Sequence, residues 1–231
     1  MQGNLPLPKR WILLVGRVPA AAFYRLYFRL RCEKDPQQIA RVVNRDRPAI
    51  IVFNHSSYLD VPAVALCLGM GVMQRVLMPG KKELFQIPVL SWCLRNCGAI
   101  PLDRDLRDVR AVRTLLRGIQ SGRILLMAPE GTRSPDGHVR PFKSGFVKIA
   151  HRAGAVVLPV GIQGAAEALP RGGKFPKPRP LTVRIGSVMD VTAQLPPKPT
   201  PDDYDALAET IRQRVIALAG KSYSSESSTS P

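Results

Sequence analysis

Two apolar runs in this chain each end in a dense polar cluster, and that arrangement restricts the fold more than any other feature. Ala49-Ile50-Ile51-Val52-Phe53 passes directly into Asn54-His55-Ser56-Ser57-Tyr58-Leu59-Asp60, and Ile124-Leu125-Leu126-Met127 leads to Pro129-Glu130-Gly131-Thr132-Arg133-Ser134. Short continuous apolar runs read as strands buried on both faces. Each then delivers its polar residues to a strand end, where open α/β sheets gather their binding groups. One cluster holds a His with a carboxylate within reach, the pair needed to take a proton from a hydroxyl. The other holds a carboxylate, a Gly and an Arg, parts suited to an anionic substrate.

Strands and helices alternate through the rest. Helices are predicted near Val61 to Leu68 and over Leu84 to Cys97, Arg107 to Gln120, Lys143 to Ala153 and Asp202 to Ala219; strands are predicted over Arg75 to Met78, Gly98 to Arg104, 123–127, Ala155 to Val160 and Leu181 to Val188. Segment 107–120 is the clearest helix: Val112, Leu116 and Ile119 fall on one side and Arg110, Arg113 and Arg117 on another. Lys34 to Pro48 reads as polar connection, Leu169 to Pro180 as a Pro/Gly/Lys-rich loop with few ordering contacts, and 222–231 as a disordered Ser-rich tail. No internal repeat is evident. The alternation predicts an α/β fold: a mixed, mostly parallel central sheet flanked by helices. The main domain is expected over 35–221, with 1–34 a separate interfacial segment.

The chain carries 34 basic against 17 acidic side chains, a net charge of +17 over 231 residues. Such a surface seeks polyanions. Aromatic content is only 6%, and the stacking or groove-reading signatures of nucleic-acid binders are missing, so an anionic bilayer face is the expected partner. No run approaches the roughly 18 to 20 apolar residues needed to span a bilayer. Trp11 to Leu30 comes nearest, but Arg17, Arg25 and Arg29 interrupt it, and basic residues scattered through it fit a signal peptide badly. Pro19 is expected to divide the segment into a basic, amphipathic helical hairpin lying among lipid headgroups. Packing against the domain is the alternative.

Cys32, Cys67, Cys93 and Cys97 lie in or beside apolar stretches without CxxC spacing or His partners. They are expected to be reduced core thiols of a cytosolic protein, not metal ligands.

His55 and Asp60 are five residues apart, about 140° out of register on one continuous helix. They meet only if the chain turns between them, as a strand ending near Asn54 and a helix starting near Ser57 or Asp60 would allow. Asp60 then holds one imidazole nitrogen and the other takes a proton. The structural alternative is that Ser57-x-x-Asp60 is a capping box, or that Asp60, just before Val61-Pro62, is an N-cap. A nucleophilic Ser56 or Ser57 fits less well, because no G-x-S-x-G elbow is present. Arg104, Arg133 and Lys143 follow separate segments yet can converge on an anion, with Gly131 admitting close backbone approach and Glu130 orienting the arginines or accepting from a substrate hydroxyl.

In combination these motifs resemble the glycerolipid acyltransferases, typified by 1-acyl-sn-glycerol-3-phosphate acyltransferase. Four ordered blocks carry the resemblance: Asn54-His55-x4-Asp60; Gly98 to Arg104, ending in Asp103-Arg104; Pro129 to Ser134; and Val156-Val157-Leu158-Pro159-Val160. Pro101, where an aromatic is common, and Ala128, where Phe is usual, depart from the pattern and bear on substrate identity.

The resemblance covers about residues 49 to 160 and implies a reaction in which His55, oriented by Asp60, activates the free hydroxyl of lysophosphatidic acid. That hydroxyl attacks acyl-CoA or acyl-acyl carrier protein as co-substrate, without cofactor or metal. It also implies that Arg104, Glu130, Gly131, Thr132 and Arg133 bind the glycerol phosphate, with Lys143 beside them, at the cytoplasmic face of the membrane in a peripheral or monotopic protein. Other lyso-lipid acceptors, a thioester hydrolase and a non-catalytic basic membrane-binding module remain as rivals.

Overall fold

A computed structural model describes residues 9–44, 47–102 and 109–220. The first half runs α1 (Arg10–Tyr27), β1 (Arg31–Glu33), α2 (Pro36–Val43), β2 (Ala49–Phe53), α3 (Asp60–Leu68), α4 (Met70–Met73), β3 (Val76–Gly80), a 3-10 turn (Lys82–Phe85), α5 (Pro88–Asn96) and β4 (Ala99–Pro101). The second runs α6 (Val109–Gln120), β5 (Ile124–Met127), α7 (Gly145–Ala153), β6 (Val156–Gln163), α8 (Ala165–Ala168), β7 (Thr182–Ile185), β8 (Met189–Asp190), α9 (Val191–Gln194) and α10 (Pro201–Ala219).

The strands form one sheet in the order β1-β7-β6-β2-β5-β3-β4, with β8 also paired to β6. Only the β6–β7 and β6–β8 pairings are antiparallel. The sheet is therefore mixed and mostly parallel. Strands β5 and β6 flank β2, with Val52 opposite both Met127 and Pro159.

Alternation along β2 sorts the core. Ala49, Ile51 and Phe53 pack with residues of α1, α2 and α3 on one face; Ile50 and Val52 pack with α6, α7 and α10 on the other. All five are buried, so the strand is apolar at every position because both faces are covered. Helix α10 opens with a complete capping box between Thr200 and Asp203 and buries Leu207, Ile211 and Val215. It approaches β6 so closely that a Cβ at Gly161 would lie 2.3 Å from backbone atoms of Leu218 and Ala219.

Several expectations are corrected. The N-terminal segment is one continuous helix, not a hairpin: α1 passes through Pro19. An interior proline costs about 3 kcal/mol, but α1 is anchored on both sides of it. Leu13 packs on the core; Tyr24 is buried and its hydroxyl donates to the Leu59 carbonyl at 3.3 Å. The carbonyl left without a helix donor belongs to Val15, an exposed position that water reaches. Segment 1–34 also supplies β1, the sheet's edge strand, so its last residues belong to the domain.

The supposed connection 34–48 contains α2, capped by Asp35, whose carboxylate accepts from the Gln37 amide. The helix expected over 84–97 is split at Gln86 and Ile87, where Pro88 restarts it.

Two of the four cysteines are oxidised. Cys32 of β1 is disulfide-bonded to Cys67 of α3, their Cα atoms 5.5 Å apart, while Cys93 and Cys97 are free thiols. Thirty-five residues separate the bonded pair, and only the docking of α3 beside β1 brings them together. Finally, the loop after α8 is held down: Ser57 Oγ donates to the Leu169 carbonyl at 2.9 Å and Tyr27 Oη to the Pro176 carbonyl at 2.8 Å. The predicted tail 222–231 lies outside the described residues.

Candidate active site

The site is built at the C-terminal ends of β2, β5 and β6. Asn54 continues β2 by one rung through its side chain: Nδ2 donates to the Ile162 carbonyl at 2.9 Å, and Oδ1 accepts from the Ile162 amide at 2.8 Å. That pins the start of the turn from β2 to α3.

Within this turn Asp60 Oδ2 accepts three hydrogen bonds, from His55 Nδ1 at 2.9 Å, the Ser56 amide at 2.8 Å and the Ser57 amide at 2.7 Å. Asp60 is fully buried and stands first in α3, where the positive end of the helix dipole favours a carboxylate. The N-cap is Leu59, not Asp60. The Asp side chain folds back over the preceding turn and does not cap the helix. Because two amides already donate to Oδ2, it acts as an acceptor there, so the proton of the His–Asp bond sits on Nδ1. This arrangement favours the tautomer protonated at Nδ1, with the Nε2 lone pair left as an acceptor.

Glu130 performs a second clamp. Its Oε1 accepts from the His55 amide at 2.7 Å and its Oε2 from the Arg140 amide at 3.3 Å. The His55 carbonyl in turn accepts from the Ser134 amide at 2.7 Å. The backbone of the candidate base is thus held on both sides by the 130–134 loop. Burial pushes the Glu130 carboxyl up to about 8, against the opposing pull of its two amide donors. Both Glu130 carboxylate oxygens thus face backbone amides of the protein.

Gly131 has φ +75, a conformation that glycine adopts without strain, and the exposed Lys143 side chain lies against it. Thr132 is half-buried. The Arg133 guanidinium stacks 3.7 Å from the centre of the Tyr58 ring, a second bridge between the two motifs. Arg104 lies outside the described residues.

Beside His55 is a cavity of about 70 Å³ lined by Phe53, Val61, Met78, Leu102, Leu115, Leu126 and Met127, with Gly131 and Lys143 also on its wall. The arrangement offers a base, a cationic group and an apolar recess together. Among the described residues, no three His, Cys, Asp or Glu side chains cluster as a metal site would. Sequence reasoning assigned no role to Asn54, Tyr58 or Ser134. Tyr58 alone carried a signal, an exposed aromatic inside a polar motif.

The fold is a mostly parallel α/β sheet with a His–Asp pair at its strand ends, braced by a Glu-Gly-Thr-Arg loop. The sequence model of the family described as Acyltransferase matches residues 35–163, more than half of the chain, and the chain belongs to that family.

The chain is 34% identical over 142 residues to the chloroplastic 1-acyl-sn-glycerol-3-phosphate acyltransferase BAT2 of Brassica napus, covering 61% of this chain and 40% of that protein. It is 28% identical over 177 residues to the 1-acyl-sn-glycerol-3-phosphate acyltransferase of Bacillus subtilis, covering 76% and 83%. The matched region thus spans less than half of the plant relative. The crystal structure of the 1-acyl-sn-glycerophosphate acyltransferase PlsC from Thermotoga maritima superposes with a TM-score of 0.69 at 28% identity, over 94% of this chain and 83% of that one.

Proposed function

We propose that this protein transfers a fatty acyl group from acyl-CoA or acyl-acyl carrier protein to the free hydroxyl of lysophosphatidic acid, giving phosphatidic acid. The observation that carries this reading is the three-fold seating of Asp60 Oδ2, which directs His55 Nδ1–H toward the carboxylate and leaves Nε2 free to accept a proton. The acceptor hydroxyl gives its proton to Nε2 as its oxygen attacks the thioester carbonyl. Collapse of the tetrahedral intermediate expels the thiolate, which recovers that proton from the imidazolium. Arg133 and Lys143 hold the phosphate of the acceptor, and the apolar recess beside His55 takes acyl chain. The names of the relatives support the choice of acceptor.

Both acceptor and product are lipids, so the enzyme works at a bilayer surface, on the cytoplasmic leaflet where the thioester donors are found. Helix α1 suits that placement. Trp11, Leu14, Val15, Val18 and Leu26 are exposed and fall within about 120° of its circumference, opposite the face that packs on α3. No helix among the described residues is long and apolar enough to cross a membrane.

The test is transfer of a labelled acyl group from each donor to lysophosphatidic acid and to lyso-lipids lacking a phosphomonoester, by wild type and His55→Ala. Phosphatidic acid formed by wild type, with a loss of about 10²-fold or more in the variant, supports the reading. Transfer only to other lyso-lipids reassigns the acceptor. Fatty acid released without any acceptor points to a hydrolase. A fully active His55→Ala overturns the mechanism.

A further inference from the structure

Beyond catalysis, the loop from Leu169 to Pro180 has features the proposed reaction does not use. Its sequence holds four basic residues, Arg171, Lys174, Lys177 and Arg179, no acid, and four prolines. It is fastened at several points: Ser57 Oγ to the Leu169 carbonyl, the Lys177 amide to the Ala168 carbonyl at 2.7 Å, and Tyr27 Oη to the Pro176 carbonyl. Arg171 Nη1 donates to the Arg133 carbonyl at 3.5 Å, which places the loop on the rim of the site. On this tethered frame Phe175 is 82% exposed. Proline-fixed backbone at 170, 176, 178 and 180 holds the ring out in water at a cost in hydration that nothing inside the protein offsets.

We propose that this loop is a second bilayer-contact element, in which Phe175 enters the boundary between headgroups and acyl chains while Lys174 and Lys177 meet the phosphates of anionic lipids. It would dock the rim of the site directly onto the surface that holds the acceptor. Continuity with α1 favours a lipid surface over an acidic protein. Tyr27, which holds Pro176, is the last residue of α1, next to Leu26, which is 83% exposed. At the other end of α1 the Lys9 amide donates to the Asn96 carbonyl, joining it to α5 with its exposed Val89 and Trp92. Apolar side chains spread over a helix about 27 Å long and the segments at both its ends, interspersed with cations, match a broad anionic plane better than one compact partner.

The experiment is sedimentation of the full chain with phosphatidylcholine vesicles, with and without phosphatidylglycerol, for wild type, Phe175→Ala and Lys174→Gln/Lys177→Gln. Thermal melts establish that each variant is folded. Phe175→Ala should weaken binding to both vesicle types by about 10-fold or more. The double Gln variant should weaken binding about 10-fold on anionic vesicles only. The proposal is overturned if both variants bind like wild type or if wild type binds no vesicles. No turnover enters this readout, so a failure of the acyltransferase reading would leave it untouched.

Discussion

Glu130 accepts a hydrogen bond from the backbone amide of His55, so the acid of one motif fixes the main chain of the histidine in the other, 75 residues away. With the Ser134 amide donating to the His55 carbonyl, the second loop holds the backbone of His55 on both sides. The position of His55 is thus held through its backbone, while its imidazole is held by Asp60.

These two dependences separate by mutation. Asp60→Asn puts an amide where one carboxylate oxygen accepts three N–H groups, so the imidazole loses its fixed tautomer. The expected loss in kcat is about 10² to 10⁴-fold, with KM for the lyso-lipid little changed. Steady-state kinetics against both substrates checks it, and an Asn variant as fast as wild type would remove Asp60 from the mechanism.

Glu130 should leave a mark on stability. Its carboxyl sits at about 8 in the fold against an ordinary 4.5, because burial penalises the charged form. A folded-state value raised in this way contributes stability below about 4.5 that is lost as pH climbs through about 8. Glu130→Gln cannot titrate, so its urea midpoint should fall less over that window than the wild-type midpoint does. Parallel curves for the two proteins would show that the carboxyl ionises freely in the fold.

Tyr58 is expected to act through Arg133. Replacing the ring by Leu removes the surface on which the guanidinium rests, 3.7 Å away. KM for lysophosphatidic acid should rise about 3- to 10-fold, the scale of a partly desolvated cation–π contact, with kcat nearly unchanged. An acceptor without a phosphate should be handled as before; an equal rise for both acceptors would deny Tyr58 this role.

The Cys32–Cys67 bridge closes a loop of 35 residues. Removing such a cross-link costs about 4 kcal/mol by the chain-entropy argument. Reduction, or Cys32→Ser with Cys67→Ser, should lower the denaturation midpoint accordingly. Thiol titration of the denatured, unreduced chain should find Cys93 and Cys97 alone. Four reactive thiols would contradict the pairing.

What could be read in advance follows physical range. Strands β2, β5 and β6 were legible because a two-sided burial requirement writes itself into consecutive residues, and the turn between His55 and Asp60 was forced by their spacing. Helix α1 was misjudged as two because proline propensity is local, whereas the contacts of Leu13 and Tyr24 with the core are not. The disulfide and the Tyr58–Arg133 stack were hidden for the same reason: both join segments that only the finished sheet makes neighbours. Glu130 was expected at the site, and its orientation toward two backbone amides depends on the register between loops, which sequence does not show.

Helix α1 has two apolar faces with separate duties. Leu13 and Tyr24 hold it to the domain, whereas Trp11, Val15, Val18 and Leu26 turn most of their surface to solvent. The outer set can therefore be altered to change where the molecule dwells, from one lipid composition to another, without altering what its reactive centre does.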